Sequence, residues 1–246
     1  MRMPDANALL LAKLSQRDRV SDAEAGAIGG MTGVIRRFAR GDELVAAESD
    51  SAMSCLILDG LAARAVTFSN GERQISGLQI RGDFPDLDSF HLQPIEYSVI
   101  ALSAGRAAFY SHEMLRQVTK DAAHMTRMLW TLSIVDTSIQ RRWNACLGRQ
   151  SAVSHLGHLI CELYRRNEVM GLGGGNKFEL YLTQFDLADI LGITQVHVSR
   201  CLAQLRRDKL IDWRKHVVEI LDFPRLAVRS HFTPRYLRLD SPSRLH

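Results

Sequence analysis

The sequence predicts an α+β protein with an N-terminal antiparallel β unit, one long amphipathic helix and a C-terminal part of short helices followed by a β-hairpin. Three observations predict this order. Short apolar segments separated by turn residues fill about residues 34–110, apolar residues at helical spacing fill residues 112–147, and two short capped helices follow residue 183. The length of 246 residues, 46% of them hydrophobic, allows a sizeable core without disulfides.

The composition excludes several classes of protein. No apolar run approaches the roughly 18 residues that a membrane helix needs, and the first residues lack the apolar core of a secretory signal. We therefore expect no membrane partner and a cytoplasmic location. The four cysteines show no Cys-x-x-Cys spacing, which argues against a disulfide framework and against a zinc or iron-sulfur clip. We expect reduced thiols, no metal site and no cofactor.

Basic residues are concentrated in the last third of the chain. Residues 1–175 contain 19 basic and 19 acidic side chains, whereas residues 176–246 contain 12 basic and 8 acidic ones. The net charge of +4 therefore comes from the C-terminal part. This asymmetry favours a polyanionic partner for that part, most often nucleic acid.

The β unit follows a short helical entry over residues 5–30, where apolar residues have helical spacing and glycines interrupt the pattern. Five short apolar segments then alternate with turns, and Asn70 and Gly71 form a typical hairpin turn. The segments are Val34–Phe38, Cys55–Leu58, Ala62–Phe68, Ile75–Ile80 and Tyr97–Leu102. This spacing predicts an antiparallel sandwich or roll.

A helix of about 35 residues is predicted over residues 112–147. Its seam positions advance alternately by three and four residues, and they are Leu115, Val118, Ala122, Met125, Leu129, Leu132, Asp136, Ile139 and Trp143. So long a helix cannot be covered on every face by a chain of 246 residues, so we predict that the seam contacts a second copy in a parallel homodimer. The alternative is a core helix covered by its own domain. Asp136 is the charged exception, and it would fix the register at a cost in stability.

Another amphipathic helix is predicted over residues 151–168, with Ser151 as its N-cap. A glycine-rich segment begins at Gly171 and ends this helix. It contains no Gly-Lys-Ser/Thr pattern and opens no helix, so it predicts a flexible connector and not a phosphate-binding loop.

Two short helices joined by a tight turn are predicted after this connector. Thr183 and Asp186, three residues apart, form the capping pattern of the first helix. Gly192 permits the left-handed turn that ends it, and Thr194 caps a second helix that runs to Arg207. This spacing is typical of a helix-turn-helix, whose second helix enters the major groove of DNA.

A β-hairpin with a basic turn follows over residues 210–221 and predicts a wing that reaches the DNA backbone. The side chains predicted to contact DNA from the two helices and the wing are Thr183, Thr194, Gln195, Val196, His197, Ser199, Arg200, Arg206, Arg214, Lys215 and His216. The alternative interpretation is that the helices and the hairpin serve only for packing.

These residues resemble the Crp/Fnr superfamily of bacterial transcription regulators. The most specific part of the resemblance is the segment Leu182–Ile211, and Gly41, Gly60, Gly71 and the Gly82–Phe84 turn support it. The resemblance implies a cyclic-nucleotide-binding-like β-roll over residues 1–110, a dimerisation helix over 111–147 and a winged helix-turn-helix over 148–246. It also implies a homodimer, a palindromic operator and contact with RNA polymerase.

The family's base-reading positions correspond here to Gln195, Val196, Ser199 and Arg200. Arg200 and Ser199 agree with common family choices. Val196 replaces a frequent Glu and removes a hydrogen-bond acceptor, so we do not expect the half-site to match the best-known family sequences.

The resemblance places a possible effector pocket at Asp88, Tyr97 and Ser98. Asp88 can stand in for the Glu that binds ribose in members that bind cyclic AMP, but Tyr97 occupies the place of the Arg that pairs with the cyclic phosphate. Cyclic-nucleotide binding is therefore disfavoured.

Two iron cofactors known from the family are disfavoured as well. The sequence lacks the clustered N-terminal cysteines of iron-sulfur members. His91, His112 and His124 are available as haem ligands, but surface histidines are usually solvated. Cys201 on the second helix is interpreted as a packing residue, with redox sensing as the alternative. The sequence does not identify the signal.

The leading hypothesis is a dimeric, sequence-specific DNA-binding transcription regulator that does not respond to cyclic AMP. The alternative is a ligand-sensing module that controls a protein partner, with the winged domain used for docking. An enzyme is not expected, because the sequence contains no nucleophile elbow, HExxH motif or Walker loop and no catalytic residue is predicted.

Overall fold

Two helices and two antiparallel sheets form the N-terminal part of the computed structural model, which describes residues 2–239. Residue 1 and residues 240–246, the outer ends of the first and last predicted domains, lie outside the described residues. The helical entry consists of α1 (Met3–Ser15) and α2 (Asp22–Gly29). Ser21 caps α2, and the Glu24 carboxylate accepts a hydrogen bond from the Ser21 backbone N–H at 2.9 Å.

The two sheets have strand orders β1-β7-β3 and β2-β6-β4-β5. Their strands are β1 (Val34–Phe38), β2 (Glu43–Val45), β3 (Met53–Asp59), β4 (Ala62–Thr67), β5 (Arg73–Gln79), β6 (Ser98–Ala101) and β7 (Gly105–Ser111). The predicted segments all contain strands, whereas sequence reasoning missed β2 and β7. Gly60 is required in the turn between β3 and β4, because a Cβ there would lie 2.6 Å from the Ala104 carbonyl oxygen.

The predicted helix over residues 112–147 is interrupted, which corrects the sequence prediction. The structure has α3 (His112–Thr119) and α4 (Ala123–Arg149). Asp121 between them has a left-handed backbone with φ of 55°. The change of direction lets both helices bury side chains against the roll, since Leu115 of α3 and Met125 of α4 are 0% and 1% exposed.

Much of the predicted dimer seam packs inside its own chain, and its buried positions are not available to a second copy in this arrangement. The fully packed seam positions, all buried within one chain, are Leu115, Met125, Leu129, Ile139 and Trp143. Val118, Ala122 and Leu132 pack against the core cluster that contains Leu115, Met125 and Leu129. Asp136 forms an ion pair with Arg64 of β4 and accepts a hydrogen bond from Gln79. The physical reason is that the roll and the following helix cover this face of α4.

The C-terminal part combines helices with a three-stranded antiparallel sheet of order β8-β10-β9. Its elements are α5 (Ala152–Val169), β8 (Lys177–Glu179), α6 (Gln184–Leu191), α7 (Gln195–Arg207), β9 (Ile211–Arg214), β10 (Val217–Ile220) and α8 (Phe223–Arg229). One apolar cluster runs from the β4–β5 hairpin through α4 and α5 into these elements. None of the helices within residues 2–239 is long and apolar enough to cross a bilayer.

A chain of buried charges joins the roll to the helices. The Asp83 carboxylate accepts from Lys13 of α1 at 2.8 Å and from Arg166 of α5 at 2.5 Å. Arg166 also pairs at 3.1 Å with the fully buried Glu162, which accepts from the indole N–H of Trp143 in α4 at 3.0 Å. Each buried charge thus has a partner, which buried ions require.

The same contacts determine how Asp83 titrates. Burial alone would raise the pKa of its carboxyl, but the charges of Lys13 and Arg166 outweigh burial and lower the pKa from 3.8 to about 2. A carboxyl with a depressed pKa stabilises the folded state above its unfolded pKa. This contribution is lost as the pH falls from about 4 to about 2.

We expect Asp83→Asn to lower the free energy of unfolding at pH 7 by roughly 3 kcal/mol, because it leaves two buried cations short of a partner. The effect should shrink between pH 4 and pH 2, where the native carboxyl itself becomes protonated. Urea unfolding at several pH values measures the loss in the free energy of unfolding and its dependence on pH. Asp50→Asn, at an exposed position, is the control. Equal stabilities of the two variants would contradict the assignment.

Candidate nucleic-acid interface

Helices α6 and α7 form the predicted helix-turn-helix. Thr183 caps α6, and its backbone N–H donates to the Asp186 carboxylate at 2.7 Å while its hydroxyl accepts from the Asp186 N–H at 3.2 Å. Gly192 ends α6 with φ of 63°, a conformation that glycine adopts without strain. The Thr194 hydroxyl accepts from the His197 N–H at 3.3 Å and so begins α7.

One side of α7 is buried and the other is open. Val198, Cys201 and Leu205 pack into the core at 0–1% exposure. The opposite side presents Val196, which is 62% exposed, together with His197, Ser199 and Arg200. Gln195 is half-buried at the first turn. The predicted base-facing side chains therefore share one accessible surface at the N-terminal end of the helix.

Cys201 is placed as a packing residue by the structure. Its side chain is 1% exposed, and burial raises the pKa of its thiol. A raised pKa lowers the fraction of reactive thiolate.

The wing turn is exposed and basic. The side chain of Arg214 is 86% exposed and lies 2.8 Å from Asp212. Lys215 occupies the turn with φ of 53°, and His216 stacks on Tyr181 with ring centroids 4.5 Å apart. Arg214 and Lys215 are thus at the tip, while His216 is held against Tyr181, which lies between β8 and α6.

Two further predicted contact residues also have structural roles. The Thr183 hydroxyl donates to Asp186 at 2.7 Å within the cap. Arg206 donates to the Trp213 carbonyl at 2.5 Å and braces α7 against β9. Both residues remain at the surface.

The roll contacts α6 through residues that sequence reasoning missed. Arg40 binds both oxygens of the Asp186 carboxylate at 2.7 and 2.8 Å, and Arg73 of β5 pairs with Asp189 at 2.6 Å. Gln74 donates to the Ile190 carbonyl at 3.2 Å. No sequence pattern signals these contacts, because they join segments more than 100 residues apart. The capping carboxylate of α6 is therefore shared with the roll.

The predicted effector residues are only partly brought together. The Tyr97 hydroxyl donates to Asp88 at 2.5 Å, and the Arg64 guanidinium lies 5.1 Å from the Tyr97 ring centroid. Ser98, on the other face of the strand, accepts from the Ala47 N–H at 3.1 Å. Asp86, two residues before Asp88, is 0% exposed, and burial raises its carboxyl pKa to about 7.

Comparison with known proteins identifies the C-terminal segment. Residues 154–229 match the family described as a Crp-like helix-turn-helix domain. The transcriptional activator protein FnrL of Cereibacter sphaeroides is 28% identical over 175 residues, which cover 69% of each chain. The nitrogen fixation regulation protein FixK of Azorhizobium caulinodans is 24% identical over 174 residues, covering 71% of this chain and 69% of FixK.

Most of the fold also resembles solved structures. The structure of FixK2 from Bradyrhizobium japonicum covers 82% of this chain and all of its own, with a TM-score of 0.74 at 18% identity. A CRP-family regulator from Thermus thermophilus covers 80% of this chain and 97% of its own, with a TM-score of 0.58 at 17% identity. The predicted α+β fold class is confirmed. The curated relatives are named as regulators, which also agrees with the prediction that this chain is not an enzyme. The chain therefore contains a Crp-like helix-turn-helix domain over residues 154–229, and its fold is similar to that of solved Crp/Fnr-type regulators.

Proposed function

We propose that the protein is a homodimeric regulator that binds a palindromic operator and reads bases with the N-terminal end of α7. The observation that carries this proposal is the exposed surface of Val196, Ser199 and Arg200 on a helix whose other face is fully packed. A recognition helix needs this division, because its core face must fix its orientation while its outer face meets base edges.

The remaining predicted contacts are assigned to the DNA backbone. Lys215 and Arg214 at the wing tip supply positive charge, and Thr194 and Thr183 stand at the N-termini of α7 and α6, where helix dipoles favour phosphate. We keep the three predicted domains, which are the roll over residues 1–110, the dimerisation helix over 111–147 and the winged helix-turn-helix over 148–246. Contact with RNA polymerase is included because FnrL is named a transcriptional activator.

The dimer contact is assigned to the face of α4 that lies opposite the buried seam. Trp130 and Ile134 are 65% and 48% exposed there, and Thr137 and Arg141 follow at the same helical spacing. Exposed large apolar side chains along a helix favour burial against a second helix. A parallel pair of α4 helices would place the two copies of α7 as a two-fold related pair, which a palindromic site requires.

The proposal excludes cyclic AMP and an iron-sulfur cluster as the signal. The Tyr97–Asp88 hydrogen bond and the Arg64–Asp136 ion pair already use the polar groups of the region where the family binds the nucleotide. The cysteines Cys55, Cys146, Cys161 and Cys201 are buried in four different elements. A cluster held by cysteine thiolates needs those thiolates around one site.

We expect Arg200→Gln to weaken operator binding by about 1–3 kcal/mol, because a guanidinium that contacts a base edge is lost. Fluorescence anisotropy with a fragment selected from genomic DNA measures the affinity across a salt series. Arg116→Gln, an exposed position on α3, is the control and should bind as the native chain does. Native affinity in Arg200→Gln would contradict the assignment of α7 as the reading helix.

We expect Trp130→Glu to convert the dimer into a monomer, because it places a charge at the centre of the proposed contact. Light scattering after gel filtration should give twice the 27.6 kDa chain mass for the native protein and the chain mass for the variant. Phe68→Glu replaces a residue that is 55% exposed on the roll and should leave the dimer intact. A dimeric Trp130→Glu variant would move the contact elsewhere.

A further inference from the structure

A cavity of about 560 Å³ lies between the roll and the C-terminal part. Gly60, Leu61 and Ile80 line its roll side, and Phe178, Leu180 and Val217 line the opposite side. It is separate from the base-reading surface of α7 and from the Tyr97 region. Its volume is within the range of about 300–1,000 Å³ that is common for small-molecule sites, which often lie between domains.

The walls of this cavity are largely apolar. Leu61, Ile80, Phe178 and Leu180 are each at most 4% exposed, so they are fixed by the surrounding core. Fixed apolar walls favour a ligand with a hydrocarbon body, because its burial removes apolar surface from water without a large cost in ordering the site.

Arg81 is the unusual polar group in the lining. Its Nε is buried and has no hydrogen-bond partner, and no contact of its guanidinium with a carboxylate is found within residues 2–239. Arg17 and Arg142 also have an unpaired Nε, but each donates from a terminal nitrogen to a backbone carbonyl. A guanidinium without an acceptor at a partly buried site favours an anionic ligand.

The other charged side chains of the lining are already satisfied. Asp59 accepts from Arg106 at 2.7 Å, and Glu179 accepts from the Tyr181 hydroxyl at 2.8 Å. Lys177 pairs with Glu219, outside the cavity, at 3.2 Å. Among the described residues, Arg81 is therefore the charged side chain of the lining that has no hydrogen-bond or ion-pair partner.

We propose that this cavity binds a small monocarboxylic acid with an apolar body. The carboxylate accepts hydrogen bonds from Arg81, and the hydrocarbon part packs against Leu61, Ile80 and Phe178. Because the walls come from both parts of the chain, the bound acid stabilises their observed arrangement. This binding site goes beyond the proposed function and does not depend on DNA binding.

Titration calorimetry of the full chain with octanoate tests the proposal, with 1-octanol as the uncharged probe. We expect octanoate to bind and Arg81→Gln to weaken it roughly tenfold or more. Arg37→Gln, at an exposed arginine on β1, is the matched control and should leave binding unchanged. Val217→Trp, at a lining position that is 42% exposed, should block the cavity and abolish binding.

Each of the other outcomes overturns the proposal. If octanoate does not bind at millimolar concentration, the proposed ligand class is wrong. If 1-octanol binds as tightly as octanoate, the charge of the ligand plays no role. Undiminished binding in Arg81→Gln or in a folded Val217→Trp variant moves the site elsewhere. Circular dichroism verifies that each variant folds. If Val217→Trp does not fold, the comparison of octanoate binding by Arg81→Gln and Arg37→Gln tests the site. A DNA-binding failure would leave these results unaffected.

Discussion

The Asp83 carboxylate fixes how the parts of this chain meet. It lies in the turn after β5, where Gly82 has φ of 85°. It forms ion pairs with Lys13 of α1 and Arg166 of α5. Through Arg166 and Glu162 the same chain of contacts reaches α4. Buried ions tolerate little displacement, because a lost partner leaves an unpaired charge in a medium of low polarity. The position of α5 therefore depends on the roll.

The position of α7 depends on α5 in turn. Both helices contribute side chains to one apolar cluster, including Leu156 and Leu159 of α5 and Val198 of α7. On another side of α5, Gly157 permits close approach to α8, since a Cβ there would lie 2.1 Å from the Ser230 hydroxyl oxygen. The roll also holds α6 directly through Arg40 and Arg73. The exposed surface of α7 is thus oriented by packed elements and ion pairs that begin in the roll.

Sequence reasoning succeeded where local rules determine the structure. The Thr183 cap, the Gly192 turn and the Thr194 cap act within a few residues, so their pattern predicts α6 and α7. Sequence reasoning was less successful for the helix over residues 112–147, where periodicity was the only guide. The heptad seam correctly marked the apolar face of α4, but an apolar stripe does not say which surface covers it, and the roll does so here. Asp136 was predicted to fix the register of a dimer. Its partner in the structure is Arg64, and sequence reasoning could not identify this pair because the two residues are 72 positions apart.

In the proposed complex, the N-terminal end of α7 lies in the major groove at two symmetric places on the DNA. Because all four native cysteines are buried, an iron chelate can be attached to a single new cysteine at Val196, with Val228→Cys on α8 as the comparison. Hydroxyl-radical cleavage of bound operator then maps each position. We expect Val196→Cys to give two clusters of cuts about 10 base pairs apart and Val228→Cys to give little cutting. Equal cleavage from both sites, or one unpaired cluster from Val196→Cys, would contradict the proposed complex.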